Sequence, residues 1–172
     1  MQARAFWKAV TVDRSNLLDR VLELLRAHQV EFCLIGGQAL NAYVEPVVSL
    51  DLDIVVATSQ LQEVESLVKA RFEVERLAHS LNISQPGSDL RIQIQLDPCY
   101  APFLARAEDK DVLGYRLPVA RIEDVLSGKV WAVQDATRRG SKQKDLADIA
   151  RVLEARADLR SEVPPDIPAK LV

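Results

Sequence analysis

Asp51 and Asp53 stand one residue apart inside an apolar run, Ser49-Leu50-Asp51-Leu52-Asp53-Ile54-Val55-Val56. β-Branched residues and near alternation predict a strand here. Side chains two positions apart on a strand face the same way, roughly 7 Å apart along it. The two carboxylates therefore share one face, and Leu50, Leu52, Ile54 and Val56 share the other. Two like charges on a half-buried face repel each other and resist desolvation. A sheet accepts them either as a solvated acidic edge or with a divalent cation that relieves both. Mg²⁺ suits the second case, because it takes carboxylate and phosphate oxygens together. The pattern by itself leaves both readings open.

The segment before this strand bears on the choice. Glu31 to Ile35 reads as a short buried strand, Gly36-Gly37 breaks it, Gln38 to Tyr43 reads as a short helix, and Pro46 ends that helix. Two glycines between strand and helix allow positive φ and close backbone approach. The helix start then offers free N–H groups and a partial positive charge, which suit a phosphate. A tight structural turn is the commoner explanation of such a pair. The phosphate reading gains weight from the two carboxylates on the next strand, since nucleotide chemistry needs a phosphate cradle beside a metal.

The rest of the chain predicts an α/β (α+β) fold with a small mixed sheet and flanking helices. Asn16 to Gln29 has a helical stripe of Leu17, Leu18, Val21, Leu24 and Leu25, with Asp13 or Ser15 as its cap. Leu61 to Arg71 is a helix and Phe72 to Leu77 a strand. Residues 82–89, with Pro86-Gly87, read as a turn-rich loop, and Leu90 to Leu96 alternates as a one-sided strand. Pro98 to Ala107 is loop and short helix, and Val112 to Val119 an edge strand. Helices over Ile122 to Ala136 and Lys142 to Ala157 close the fold. Residues 1–12 form a weakly patterned lead-in. The expected organisation is an α/β core over 1–120, a helical segment packed on it over 121–160, and a flexible tail over 161–172.

Composition narrows the function classes. With 48% hydrophobic and 27% charged residues among 172, the chain is ordinary for a globular protein. A net charge of −3 gives no support for bulk electrostatic binding to nucleic acid. Cys33 and Cys99 lack disulfide or zinc spacing. No apolar stretch has membrane-spanning length and no signal-peptide core is present, so the cytoplasm is the expected location.

Four further features are candidates for chemistry. Asp97 continues the Arg91, Gln93, Gln95 face, and there it either completes a metal cage with Asp51 and Asp53 or caps a turn. Lys129 falls in or beside the apolar face of its helix, where a lysine must snorkel out or meet an anion. Asp145 leans inward from the last helix and is its expected partner, with Asp148 as competitor; the pair is either a structural tie or a lysine held ready for phosphates. Arg138 through Lys144 forms a basic link that reads as a solvated loop or, with an RNA substrate, a backbone contact. His28 and His79 have no visible partners.

Ile35-Gly36-Gly37-Gln38-Ala39-Leu40 followed by Ser49-Leu50-Asp51-Leu52-Asp53 resembles the signature of the DNA polymerase β-type nucleotidyltransferase superfamily. Leu117-Pro118-Val119, Glu123-Asp124-Val125, Lys129 and Lys144-Asp145-Leu146-Ala147-Asp148-Ile149 are similar to its AbiEii-like branch, which includes toxins of type IV toxin–antitoxin systems. The resemblance implies an Mg²⁺- or Mn²⁺-dependent transfer of a nucleoside monophosphate from an NTP to an acceptor: RNA, a protein or a small molecule. It also implies an antitoxin partner if the chain is a toxin. By position, Gly36, Gly37, Gln38, Ser49 and Lys129 would bind nucleotide, Asp51, Asp53 and Asp97 metal, and Lys129 and Asp145 would act from the helical part. Gln38 stands where relatives carry Ser or Thr, Val47 where many carry Arg, and Gln93 and Gln95 where a third carboxylate is often found. The alternative is therefore a catalytically weakened domain that binds a nucleotide or a protein. A phosphatase of haloacid-dehalogenase type, whose nucleophile motif Asp51-Leu52-Asp53-Ile54-Val55 also fits, would need a larger parallel sheet.

Overall fold

Hydrophobic patterning places most of the elements. The computed structural model describes residues 15–138, 140 and 142–167. The lead-in, Asp13 as a cap, Arg139 and Ser141 of the basic link, and residues 168–172 lie outside the described residues. Helix α1 (Leu17–Ala27) buries Leu17, Leu18, Val21, Leu22, Leu24 and Leu25, its i, i+3, i+4 stripe. Asn16, not Ser15, holds its cap position. Strand β1 (Phe32–Ile35) is buried on both faces and runs directly into a short helix, α2 (Gly36–Leu40). Strand β2 (Asp51–Val56) carries the aspartates, and helix α3 (Leu61–Lys69) buries Val64 and Val68.

The remaining strands are β3 (Glu73–Arg76), β4 (Ser80–Ser84), β5 (Arg91–Gln95), β6 (Glu108–Val112) and β7 (Tyr115–Val119). A short helix α4 (Phe103–Arg106) precedes β6, and helices α5 (Ile122–Gln134) and α6 (Lys142–Ala155) follow β7. Among the described residues the sheet has seven strands in the order β3-β4-β5-β2-β1-β7-β6. β2 pairs antiparallel with β1 and parallel with β5, and β1 pairs parallel with β7. This mixed pairing is not the parallel sheet that the phosphatase reading needs.

Three expectations require correction. Residues 82–89 are not all loop: Ser80–Ser84 is β4, with Leu81 and Ile83 fully buried between β3 and β5. Val112 to Val119 is not one edge strand: Leu113 and Gly114, both at positive φ, turn β6 back along β7, so β6 is the edge. The tail does not stand free over its described part, because Val163 and Ile167 are buried in the main cluster. That cluster joins the Leu52/Ile54 face of β2, neighbouring Ile92 and Ile94, the stripes of α1 and α3, and apolar residues of α5 and α6.

Candidate active site

Strand alternation puts Asp51 and Asp53 on the face opposite Leu52 and Ile54, and β1 delivers Gly36 to the same place. Ile35 pairs with Asp53 across the sheet, so the next residue lies against the carboxylate. Gly36 has φ +73°, and a Cβ there would sit 2.5 Å from Asp53 Oδ2. Only glycine accepts both the backbone angle and that approach. The other oxygen, Asp53 Oδ1, is buried and has no hydrogen-bond partner. Burial pushes the Asp53 carboxyl up to about 6; the charges of Lys129, Lys144 and Arg138 counter this and that of Asp51 adds to it. Asp51 instead has a counterion, with Arg91 Nη2 at 2.9 Å from its Oδ1.

Parallel pairing of β2 with β5 sets the neighbours of this face. Arg91 lies opposite Asp51, Gln93 opposite Asp53 and Gln95 opposite Val55. The residue beside Asp53 is thus a neutral amide. Asp97 lies four residues beyond Gln93, ~13 Å further along the sheet at strand rise. Its side chain caps the next turn, accepting the Cys99 N–H at 2.9 Å, and that bond holds the carboxyl below its ordinary value. Asp97 does reach the rim of the same cavity, but it does not join Asp51 and Asp53 as a third ligand. Among the described residues no three Asp, Glu, His or Cys side chains converge on a metal position. The donor set still fits a cation that takes one or two carboxylates and completes its shell with phosphate oxygens and water. The orphaned Asp53 Oδ1 is the observation behind that fit.

Helices α5 and α6 cover this face. Lys129 Nζ lies 2.9 Å from Asp145 Oδ1 and 2.8 Å from Asp148 Oδ2, so partner and competitor both bind it. Burial works against its charge, but the two aspartates prevail and hold the lysine above its ordinary value. Asp148 also accepts from Arg151 Nη1 at 2.9 Å, and Arg151 Nη2 reaches Asn41 Oδ1 and the Glu45 carbonyl. Asn41 in turn donates to Gln38 Oε1 at 2.7 Å, and Gln38 Nε2 donates to the Ser49 carbonyl at 2.8 Å. The Gln38 side chain is therefore buried in a polar chain that fixes the entry to β2; it is not presented to a ligand. Ser49 Oγ accepts the Asp51 N–H at 3.3 Å and receives Lys144 Nζ from α6 at 3.4 Å.

Between the sheet face and these helices lies a cavity of about 270 Å³ that brings together Gly36, Asp53, Lys129 and Asp145. Gln93 and Gln95 line it from β5, and Tyr100 and Phe103 form an aromatic wall that packs against the bare backbone of Gly128. Trp131 stacks on Phe103 with centroids 5.7 Å apart behind that wall. Arg106 holds Asp124 with two hydrogen bonds, tying α4 to α5. His79 lies on the rim, whereas His28 caps the far end of α1. Sequence reasoning did not find Arg91 as the counterion of Asp51, the Asn41–Arg151 link or the aromatic wall. Alternation did place Arg91 on the Gln93 face, but its contact with Asp51 depends on a strand register that no local pattern reports.

A family model for the nucleotidyl transferase AbiEii toxin of type IV toxin–antitoxin systems matches residues 17–165. No curated protein matches the chain in sequence. Among solved structures, ANT(2'')-Ia in complex with adenylyl-2''-tobramycin is similar at 14% identity and a TM-score of 0.60, over 91% of this chain and 98% of that one. The lincomycin-bound lincosamide antibiotic adenylyltransferase LnuA is similar at 13% identity and a TM-score of 0.52, over 83% of this chain and 99% of that one. JHP933 from Helicobacter pylori is similar at 18% identity and a TM-score of 0.53, over 91% of this chain and 70% of that one. At these identities the likeness is one of fold.

Proposed function

The chain belongs to the AbiEii nucleotidyl transferase toxin family, and we propose that it transfers a nucleoside monophosphate from an NTP to an acceptor hydroxyl at the Asp51/Asp53 face. The observation that carries this reading is Asp53 itself: a carboxylate with one buried, partnerless oxygen, pressed against a glycine backbone. Such a group is costly unless a cation completes it. Asp51 and Asp53 would hold Mg²⁺ or Mn²⁺, Asp51 exchanging Arg91 for the metal. When bound, the cation supplies charge stabilisation to the phosphoryl group under attack.

The chain's own residues do the rest. Gly36 keeps the carboxylate face open to a phosphate, and the backbone N–H groups of Gly37 and Gln38 meet the triphosphate at the start of α2. In-line displacement puts attacking and leaving oxygens on opposite sides of the phosphorus. With pyrophosphate leaving over α2, the acceptor enters over β5. There Gln93 can orient a hydroxyl by hydrogen bonding but cannot take its proton, which would pass to solvent water as the acceptor oxygen bonds to phosphorus and the bond to pyrophosphate breaks. Asp145 and Lys129 hold the helices that close the cavity. The acceptor is an RNA, a protein or a small molecule such as the antibiotics bound by the structural relatives. A neutralising antitoxin is the expected protein partner. No helix among the described residues is long and apolar enough to cross a membrane, and we place the protein in the cytoplasm with its NTP.

One observation favours a second reading, a nucleotide- or protein-binding module without turnover. The third carboxylate, Asp97, is spent on capping a turn, and an amide stands beside Asp53. Calorimetric titration of the four NTPs, with and without Mg²⁺, into wild type and the Asp51→Asn/Asp53→Asn double variant tests the site. Metal-dependent binding lost in the double variant is expected. Transfer of label from an α-labelled NTP to cellular RNA, protein or small molecules then separates enzyme from module. If folded wild type binds no NTP under any condition, the nucleotidyltransferase reading fails.

A further inference from the structure

We propose that Lys144 is the residue that grips the β- and γ-phosphates of the NTP, and that Lys129 ties α5 to α6 without touching substrate. This rests on the nucleotidyltransferase reading and adds the phosphate-binding residue to it.

Lys129 lines the cavity and Lys144 lies beside the entry to β2 at Ser49, and their surroundings differ. The Lys129 side chain is 10% exposed and lies between Asp145 and Asp148, both of them buried. A phosphate that approached its ammonium would meet those carboxylate oxygens as well. If Lys129 turned toward the phosphate, Asp145 would keep only Arg138 at 3.5 Å and Asp148 only Arg151 at 2.9 Å, so two buried carboxylates would each lose their central cation, at a cost in stability.

Lys144 is exposed, and no carboxylate forms an ion pair with it among the described residues. It sits in the first turn of α6 together with Lys142, at the helix end where a cation opposes the macrodipole. Its Nζ crosses 95 residues of sequence to lie 3.4 Å from the neutral hydroxyl of Ser49, at the entry to β2. That hydroxyl also accepts the Asp51 N–H. The ammonium is therefore parked beside the metal-binding strand on a long hydrogen bond to a neutral oxygen. A phosphate oxygen is a far better partner for it, because charge-assisted bonds are shorter and roughly twice as strong. A polyanion there also relieves the two cations at the helix start. Ser49 then serves as the rest position from which Lys144 moves a short way onto the triphosphate.

The test uses the full chain and whichever of ATP, GTP, CTP and UTP binds wild type most tightly with Mg²⁺. Lys144→Ala should weaken binding about tenfold or more, the size expected for losing one charge-assisted contact. The melting temperature should not move. Lys144→Arg should recover most of the affinity, and the dependence of Kd on salt should be shallower in Lys144→Ala than in wild type. Binding by Lys144→Ala within twofold of wild type would overturn the proposal while leaving the nucleotidyltransferase reading intact. So would weaker binding that comes with a matching drop in melting temperature and no rescue by arginine. Absence of NTP binding by wild type itself defeats the broader reading, and this proposal with it.

Discussion

Replacing Asp53 with asparagine should make the metal-free protein more stable at neutral pH, although it removes the residue most central to the site. In the folded chain the Asp53 carboxyl ionises only near 6, because burial outweighs the nearby lysines; its ordinary value is 3.8. Between those values the native state holds a proton that the unfolded chain has released. Stability therefore falls as pH rises through that window and stays lower above it. Each pH unit in the interval is worth about 1.4 kcal/mol. Allowing for the part of the side chain that water screens, the ionised carboxylate costs roughly 2 kcal/mol at pH 7.5. The asparagine amide keeps the shape and removes the charge, so Asp53→Asn should gain about that amount and raise the melting temperature by roughly 4–8 °C. Urea unfolding of both proteins in chelator gives the number directly. The gain should be present at pH 7.5 and nearly gone at pH 4, where Asp53 is protonated in the native state. Added Mg²⁺ should stabilise wild type and leave the variant where it was. A variant less stable than wild type at pH 7.5, or a gain equal at both pH values, would refute the argument that Asp53 is an uncompensated buried charge.

Other perturbations have equally definite outcomes. Gly36→Ala places a methyl 2.5 Å from Asp53 Oδ2 at φ +73°; it should lose about 2–4 kcal/mol in urea unfolding and abolish metal-dependent NTP binding. Lys129→Met takes the shared cation from Asp145 and Asp148, leaving them Arg138 and Arg151, and should cost about 2–4 kcal/mol at pH 7.5, with much of the loss recovered when both aspartates are also made asparagine. Arg91→Ala frees Asp51 from an exposed partner, so stability should change by less than about 1 kcal/mol while the Mg²⁺ concentration needed for half-maximal NTP binding falls. An unchanged metal requirement in Arg91→Ala would mean that the guanidinium does not compete for Asp51.

The parts of this protein that read clearly from the chain are those whose cause is local. Asp51 and Asp53 share a face because strands alternate, and Gly36 is needed where a buried strand turns into a helix against them. Lys129 and Asp145 could be paired because each broke the apolar pattern of its own helix. The misread parts depend on distant neighbours. Leu81 and Ile83 alternate over only five residues, and Asn82, Ser84 and the Pro86-Gly87 that follows look like a turn until β3 and β5 supply the pairing. Glu108 to Val112 has almost no apolar residues because β6 is a solvated edge, held by backbone bonds to β7. Asp97 continues the Gln93–Gln95 alternation only past the end of β5, where the chain turns, and the Cys99 N–H takes its carboxylate.

The polar chain that runs from Lys129 through Asp148, Arg151, Asn41 and Gln38 to Ser49 has a consequence for how the protein comes into being. Residues from the last quarter of the chain secure the entrance to β2, and Lys144 meets Ser49 across 95 positions. A ribosome that has delivered the two aspartates, the glycines and the whole sheet has still not delivered every part of the candidate site. Every prematurely terminated product that ends before α6 has its acidic strand but neither the tether that aims it nor the cation beside it. Synthesis through α6 is thus a precondition written into the geometry, and a version of this chain cut or divided before that helix would have to rebuild the clasp from some other source.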